Sequence, residues 1–104
     1  MESDKVEFQI IEKLKSLYPV KIIIFGSYAY GLPTEDSDLD ICIIKTEIKA
    51  RAKEKLEIRK LLKDISIPKD ILLSTIEEYE FYKNQFGSVF MDIDKKGKVI
   101  WANS

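Results

Sequence analysis

The sequence predicts an α/β (α+β) domain, a mixed β-sheet with helices mainly on one face. Three observations carry that expectation. Apolar, β-branched runs of strand length stand at 20–25, 38–44 and 68–74. Apolar residues recur at helical spacing over 4–17 and 49–64. The early order is helix, strand, strand, helix, strand, which suits a mixed sheet.

Taken in order, Val6, Ile10, Leu14 and Leu17 mark one face of a helix over 4–17. Ser3 is the expected N-cap, and Pro19 stops the helix. "VKIIIF" at 20–25 reads as a buried strand, and a short helix begins at Ser27. "GLPTED" at 31–36 has the composition of an exposed loop. "DLDICII" at 38–44 is the second strand. From Lys49 to about Asp64 strong helix formers dominate, with Ala52, Leu56, Ile58, Leu61, Leu62 and Ile65 as apolar contacts. "PKDILLS" at 68–74 is the third strand. Thr75 with Glu78 has the form of a capping box opening a helix over 76–85. A short helix near 87–93, a turn at Gly97 and a strand at 98–101 complete the chain.

The 104 residues suffice for one domain, 1–104, with one modest core. A hydrophobic share of 45% argues against disorder. The net charge of −1 gives no global attraction to nucleic acid or anionic membrane. No apolar run is long enough to cross a bilayer, and the charged N-terminus lacks a signal-peptide core. A cytoplasmic location is expected, consistent with a single cysteine, Cys42. The chain has no histidine. Histidine-ligated zinc and Ser-His-Asp or Cys-His catalysis are thereby excluded within it. Acid-base or metal chemistry must fall to carboxylates, Lys, Tyr, Ser or Cys42.

The chemical question sits in "FGSYAYGLPTEDSDLDICII". Side chains alternate along a strand, so Asp38 and Asp40 are expected on one face, with Leu39 and Ile41 in the core. Two close carboxylates repel unless a cation lies between them. Magnesium prefers oxygen ligands and commonly uses one or two carboxylates plus substrate phosphates. Asp70, in the third strand, adds a third acid if that strand runs beside the second. Three such carboxylates suit two metal ions about 3.5–4 Å apart. Asp70 is also the natural proton acceptor in a chain without histidine. Gly26 allows close backbone approach to a phosphate, and Ser27 offers a hydroxyl at a helix start. Gly31 lets the chain turn back. The loop is not a Walker A motif, because Gly-Lys-Ser/Thr is missing.

Singly, Gly-Ser reads as a turn and Asp-x-Asp as an exposed edge. Jointly, "GSYAYGLPTEDSDLD" resembles the Gly-Ser, ten residues, Asp-x-Asp signature of the DNA polymerase beta nucleotidyltransferase superfamily. The short chain, "SDLDICII", "PKDILLS" and "GSVFMDIDKKGKVIW" resemble its minimal nucleotidyltransferases, the MNT group. The resemblance implies the polymerase beta-type fold, Mg²⁺ (two ions) and a nucleoside triphosphate, usually ATP. It implies transfer of a nucleoside monophosphate to a hydroxyl with release of pyrophosphate. By motif position Gly26 and Ser27 bind the triphosphate, and Asp38, Asp40 and Asp70 are the metal-binding and catalytic acids. In antitoxin members the acceptor is a tyrosine of a HEPN toxin, which adenylylation silences. This chain departs from the pattern at Tyr30, where many members have an arginine nearby; Arg59 or a lysine would supply that charge.

Two other readings stay open: a non-catalytic antitoxin that neutralises its partner by contact, and transfer to a small molecule. The small size of the chain leaves no room for an acceptor-gripping domain, so a macromolecular partner or a homo-oligomer is expected to complete the acceptor site. The basic stretch 45–63 reads as a solvated helix face with i,i+4 pairs, with RNA binding as the weaker alternative. Cys42 reads as a packed thiol. Tyr79, Phe81, Tyr82 and Phe86 read as core and rim of a C-terminal helix, or as a surface for a partner. Trp101 either covers a sheet edge or meets a partner.

Overall fold

The structure, a computed structural model, describes residues 2–31 and 37–103. Helix α1, Glu2–Leu14, runs into a 3₁₀ turn, Lys15–Leu17, followed by strand β1, Lys21–Phe25. A single-turn helix α2, Ser27–Tyr30, precedes β2, Leu39–Lys45. Helix α3, Arg51–Leu61, links β2 to β3, Lys69–Thr75. Helices α4, Ile76–Tyr82, and α5, Val89–Lys96, lead to β4, Lys98–Ala102. Most of the expected loop at 31–36 lies outside the described residues.

The sheet order is β3-β2-β1-β4. β1 is antiparallel to both β2 and β4, whereas β2 and β3 are parallel. A parallel pair needs a long crossover, and α3 provides it. The sheet is therefore mixed, as expected.

Strand alternation divides the core. Leu39, Ile41 and Ile43 join Ile22, Ile24, Ile71 and Leu73 in a cluster covered by Ile10 and Leu14 of α1 and by Ile58, Leu62 and Ile65. Burying one such side chain stabilises the fold by about 1.5–3 kcal/mol. The other face is not bare. Cys42 and Ile44 pack with Ile23, and with Tyr79 of α4 and Ile93 of α5. The two long helices thus share one face, and two short ones cover a smaller cluster on the other. Four successive buried residues, Ile41–Ile44, are the sign of that second cover.

Local detail departs from the sequence reading in four places. α1 begins at Glu2, so Ser3 stands inside its bounds and not before them. Leu56 is exposed, because the buried phase of α3 follows Ile58, Leu62 and Ile65, which leaves position 56 on the opposite side. α4 stops at Tyr82, and α5 starts from Ser88, whose hydroxyl accepts from the Met91 N–H at 3.1 Å. The ion pairs of the basic stretch reach other elements: Lys45 holds Glu54, and Arg51 reaches Glu78.

The expected capping box is present, with Thr75 accepting from the Glu78 N–H and Glu78 accepting from the Thr75 N–H. Tyr79 is buried and donates to Asp94 at 2.9 Å. Phe81, Tyr82 and Phe86 are exposed, Phe86 to 97%. Trp101 is half-buried and donates to the Pro19 carbonyl at 3.3 Å. Among the described residues no helix is long and apolar enough to cross a membrane.

Candidate active site

The candidate site lies where β1 ends and β2 and β3 begin. Asp40 is paired in register with Phe25 on one side and with Asp70 on the other. Registered partners point to the same face, and adjacent strands lie about 4.8 Å apart. Asp40 and Asp70 are therefore neighbours on the face that Cys42, Ile44 and Leu72 continue as apolar core. The acids occupy the registered position just beyond that cluster.

Asp38 precedes β2 and is not part of it. The reason is geometric. β1 ends at Phe25, opposite Asp40, and the chain turns into α2, while β3 begins at Lys69, opposite Leu39. Asp38 has no strand neighbour on either side. It is exposed, yet near enough for its charge to act on Asp40. The carboxyl of Asp40 is held above its usual range, first by partial burial, then by the charges of Asp70 and Asp38. All three acids contribute to one local field.

Gly26 is built into this field. Its φ of 75° is in the region that favours glycine. A β-carbon there would stand 2.1 Å from Asp40 Oδ2. The carboxylate thus occupies the space that any side chain at 26 would need. Ser27 opens α2 immediately beside it, with the Ala29 N–H bonded to the Gly26 carbonyl at 3.0 Å. One turn carries little macrodipole, so Ser27 would act through its hydroxyl and local amides. The side chain of Tyr30 lies outside the described residues. Arg59 donates to the Lys69 carbonyl at 3.4 Å.

The donor set is all oxygen, which fits magnesium or another hard cation. Mutual repulsion among the acids is the cost a cation would remove. Among the described residues no three acidic or thiol groups stand ready as a closed metal cage. Two carboxylates in register leave room for the waters and phosphate oxygens that magnesium retains. Cys42 takes no part: burial pushes its thiol up to about 12.

Sequence reasoning missed what ties the strand starts. The Leu39 N–H donates to the Pro68 carbonyl at 2.8 Å. The ammonium of Lys69 donates to the carbonyls of Ile65 and Ile67 at 2.5 and 2.9 Å. A Pro-Lys pair followed by Asp70 and an apolar run was the signal present.

The fold is a mixed-sheet α+β domain with an acidic pair and a Gly-Ser turn at one end of the sheet. The nucleotidyltransferase domain family matches residues 8–100. Over 72 residues the chain is 39% identical to MJ0141 of Methanocaldococcus jannaschii, named as a candidate protein adenylyltransferase, covering 69% of this chain and 68% of that one. Solved structures share the fold. A toxin–antitoxin crystal structure with AMP-PNP superposes with a TM-score of 0.69 at 22% identity, covering 94% of this chain and 74% of that one. The tri-AMPylated Shewanella oneidensis HEPN toxin in complex with MNT antitoxin superposes at 0.63 with 19% identity, covering 97% and 73%. The chain belongs to the nucleotidyltransferase domain family, and it is a nucleotidyltransferase.

Proposed function

We propose that the chain is a Mg²⁺-dependent, cytoplasmic protein adenylyltransferase that moves AMP from ATP to a tyrosine of a HEPN toxin and so acts as its antitoxin. The observation that carries this reading is Asp40 seated between Gly26 and Asp70, with Asp38 close by. The adenylyltransferase name of the 39% identical relative supports the reaction type. The AMPylated toxin complex that shares the fold supports the acceptor. The exposed Phe81, Tyr82 and Phe86 support a protein acceptor, because apolar surface of this kind is commonly covered by a partner.

Asp38, Asp40 and Asp70 would hold the divalent ions. When bound, these ions neutralise the triphosphate and acidify the attacking hydroxyl. Gly26 lets the backbone approach the phosphates, and Ser27 donates a hydrogen bond to them. The acceptor oxygen attacks the α-phosphorus, the bond to the bridging oxygen of the β-phosphate breaks, and pyrophosphate leaves. Asp70 receives the hydroxyl proton.

The test is transfer of label from α-labelled ATP to the partner with Mg²⁺ present. The native chain is expected to label it, and the Asp38→Asn/Asp40→Asn double variant is expected not to. Asp70→Asn should bind nucleotide and fail to turn over. Equal labelling by the double variant would overturn the assignment. A double variant that still neutralises the toxin without label would favour the contact-only reading, which the same aromatic surface would serve.

A further inference from the structure

We propose that Lys69 is a positioning residue: its ammonium clamps the turn that opens β3 and so holds Asp70 beside Asp40. The proposal rests on the reading that these two acids act together. Its own basis is separate. Lys69 is half-buried, and its Nζ donates to the carbonyls of Ile65 and Ile67, both in the turn that leads into its own strand. The ammonium thus closes a loop of backbone over residues 65–69.

Three features make such a clamp necessary. Asp70 is the second residue of β3 and pairs with the second residue of β2. Strand ends have ladder bonds on one side only, so they open more readily than strand centres. Like charges at Asp40 and Asp70 push these same ends apart, and the charge of Asp70 is one cause of the raised carboxyl of Asp40. Beside the β2–β3 ladder itself, the ties described at this end are the Leu39 N–H to the Pro68 carbonyl, Arg59 to the Lys69 carbonyl, and the Lys69 clamp.

Alternation decides the role. Lys69 and Asp70 are consecutive, so their side chains leave opposite faces of the sheet. Lys69 stands on the face of Leu39, and Ile65, to whose carbonyl it donates, is buried in that face's cluster. Its head group is committed to carbonyls away from the acids. It acts on the site through the backbone of β3.

The test compares Lys69→Met and Lys69→Arg with the native chain by three readouts. Mn²⁺ affinity is measured by electron paramagnetic resonance without nucleotide or acceptor. Amide hydrogen exchange is followed at Asp70 and Leu72, and kcat and KM for ATP are measured with the partner. Lys69→Met is expected to weaken Mn²⁺ binding about tenfold, as loss of a supporting residue around a metal site does. Exchange should accelerate at Asp70 and Leu72, whose N–H groups face β2, while the amides of Ile22–Ile24 keep native rates. kcat should fall at least about tenfold with KM for ATP held within about twofold, the sign of misplaced catalytic groups. Lys69→Arg, which can still donate to both carbonyls, should recover most of each loss. Native exchange and Mn²⁺ affinity in Lys69→Met would overturn the clamp. A raised KM at constant kcat would make Lys69 a phosphate contact, and exchange accelerated uniformly across β1 and β2 would reduce it to general stability. If Asp40→Asn binds Mn²⁺ like the native chain, the acidic-site reading fails, and exchange at Asp70 alone then decides the clamp.

Discussion

Replacing Gly26 with alanine tests the link between backbone and site at one atom. The β-carbon would lie 2.1 Å from Asp40 Oδ2 and 3.1 Å from Asp40 Cγ. Comfortable contact between such atoms begins at about 3.5 Å, so the carboxylate must move by more than about 1 Å. The φ of 75° adds backbone strain of about 1–3 kcal/mol for any residue with a side chain. The expected loss of stability corresponds to a fall in Tm of about 5–20 °C for a domain of this size. Displacement of Asp40 by about 1 Å should cost about 100-fold in turnover beyond that. Gly87 supplies the control, because its φ is 84° but a β-carbon there meets nothing within 4 Å. Gly87→Ala should therefore show the strain, about 1 kcal/mol, without the clash. The assays are thermal unfolding and transfer from α-labelled ATP. Gly26→Ala with turnover within threefold of native, or Gly87→Ala with an equal loss of turnover, would refute the reasoning.

Three further outcomes follow from the packing. Glu54 accepts from Lys45 and from the N–H groups of Lys49 and Ala50, which hold its carboxyl at about 2 against an ordinary 4.5. A lowered folded-state value stabilises fully above the ordinary value and is lost as pH falls from about 4.5 to about 2, so urea midpoints should drop across that window and Glu54→Gln should flatten the drop. Thr75→Ala removes the capping box of α4 and should cost about 1 kcal/mol, a Tm lower by about 4–8 °C, with label transfer per folded molecule unchanged. Native Cys42, buried with its thiol at about 12, should resist a disulfide reagent at pH 8 and react only as fast as the chain unfolds.

Much of the fold was legible because it depends on local pattern. The apolar, β-branched runs at 20–25 and 38–44 and the Thr75–Glu78 box each declare an element within a few residues. The acidic pair was legible in part. Asp40 and Asp70 share a face because β2 and β3 run parallel in register, and the sequence could state this only conditionally. What escaped depends on contacts between segments far apart in the chain. Nothing in "DLDICII" says whether Cys42 and Ile44 face solvent, a helix or a second cluster; Tyr79 and Ile93 decide it. Glu54 looked like one of several helix-face acids until Lys45 and two amides converged on it. Nothing in "PKDILLS" says what Lys69 meets; the carbonyls of Ile65 and Ile67 decide it.

Register joins these observations. A slip of one residue between β2 and β3 would put Asp70 on the face of Leu39 and bury a charge beside Ile41, which the core opposes strongly. A slip of two residues keeps every apolar side chain on its face, so core burial discriminates against it far less. It would set Asp70 opposite Cys42 or opposite Asp38, and the paired acids would be lost. Protection against that slip must come from the strand ends. At one end Thr75 is both the last residue of β3 and the cap of α4, so its position along the sheet is tied to a helix start. At the other, Pro68 accepts from Leu39 and Lys69 closes the preceding turn. The hydrophobic core sets which face the acids occupy, and the polar contacts at the two ends of β3 set that they meet.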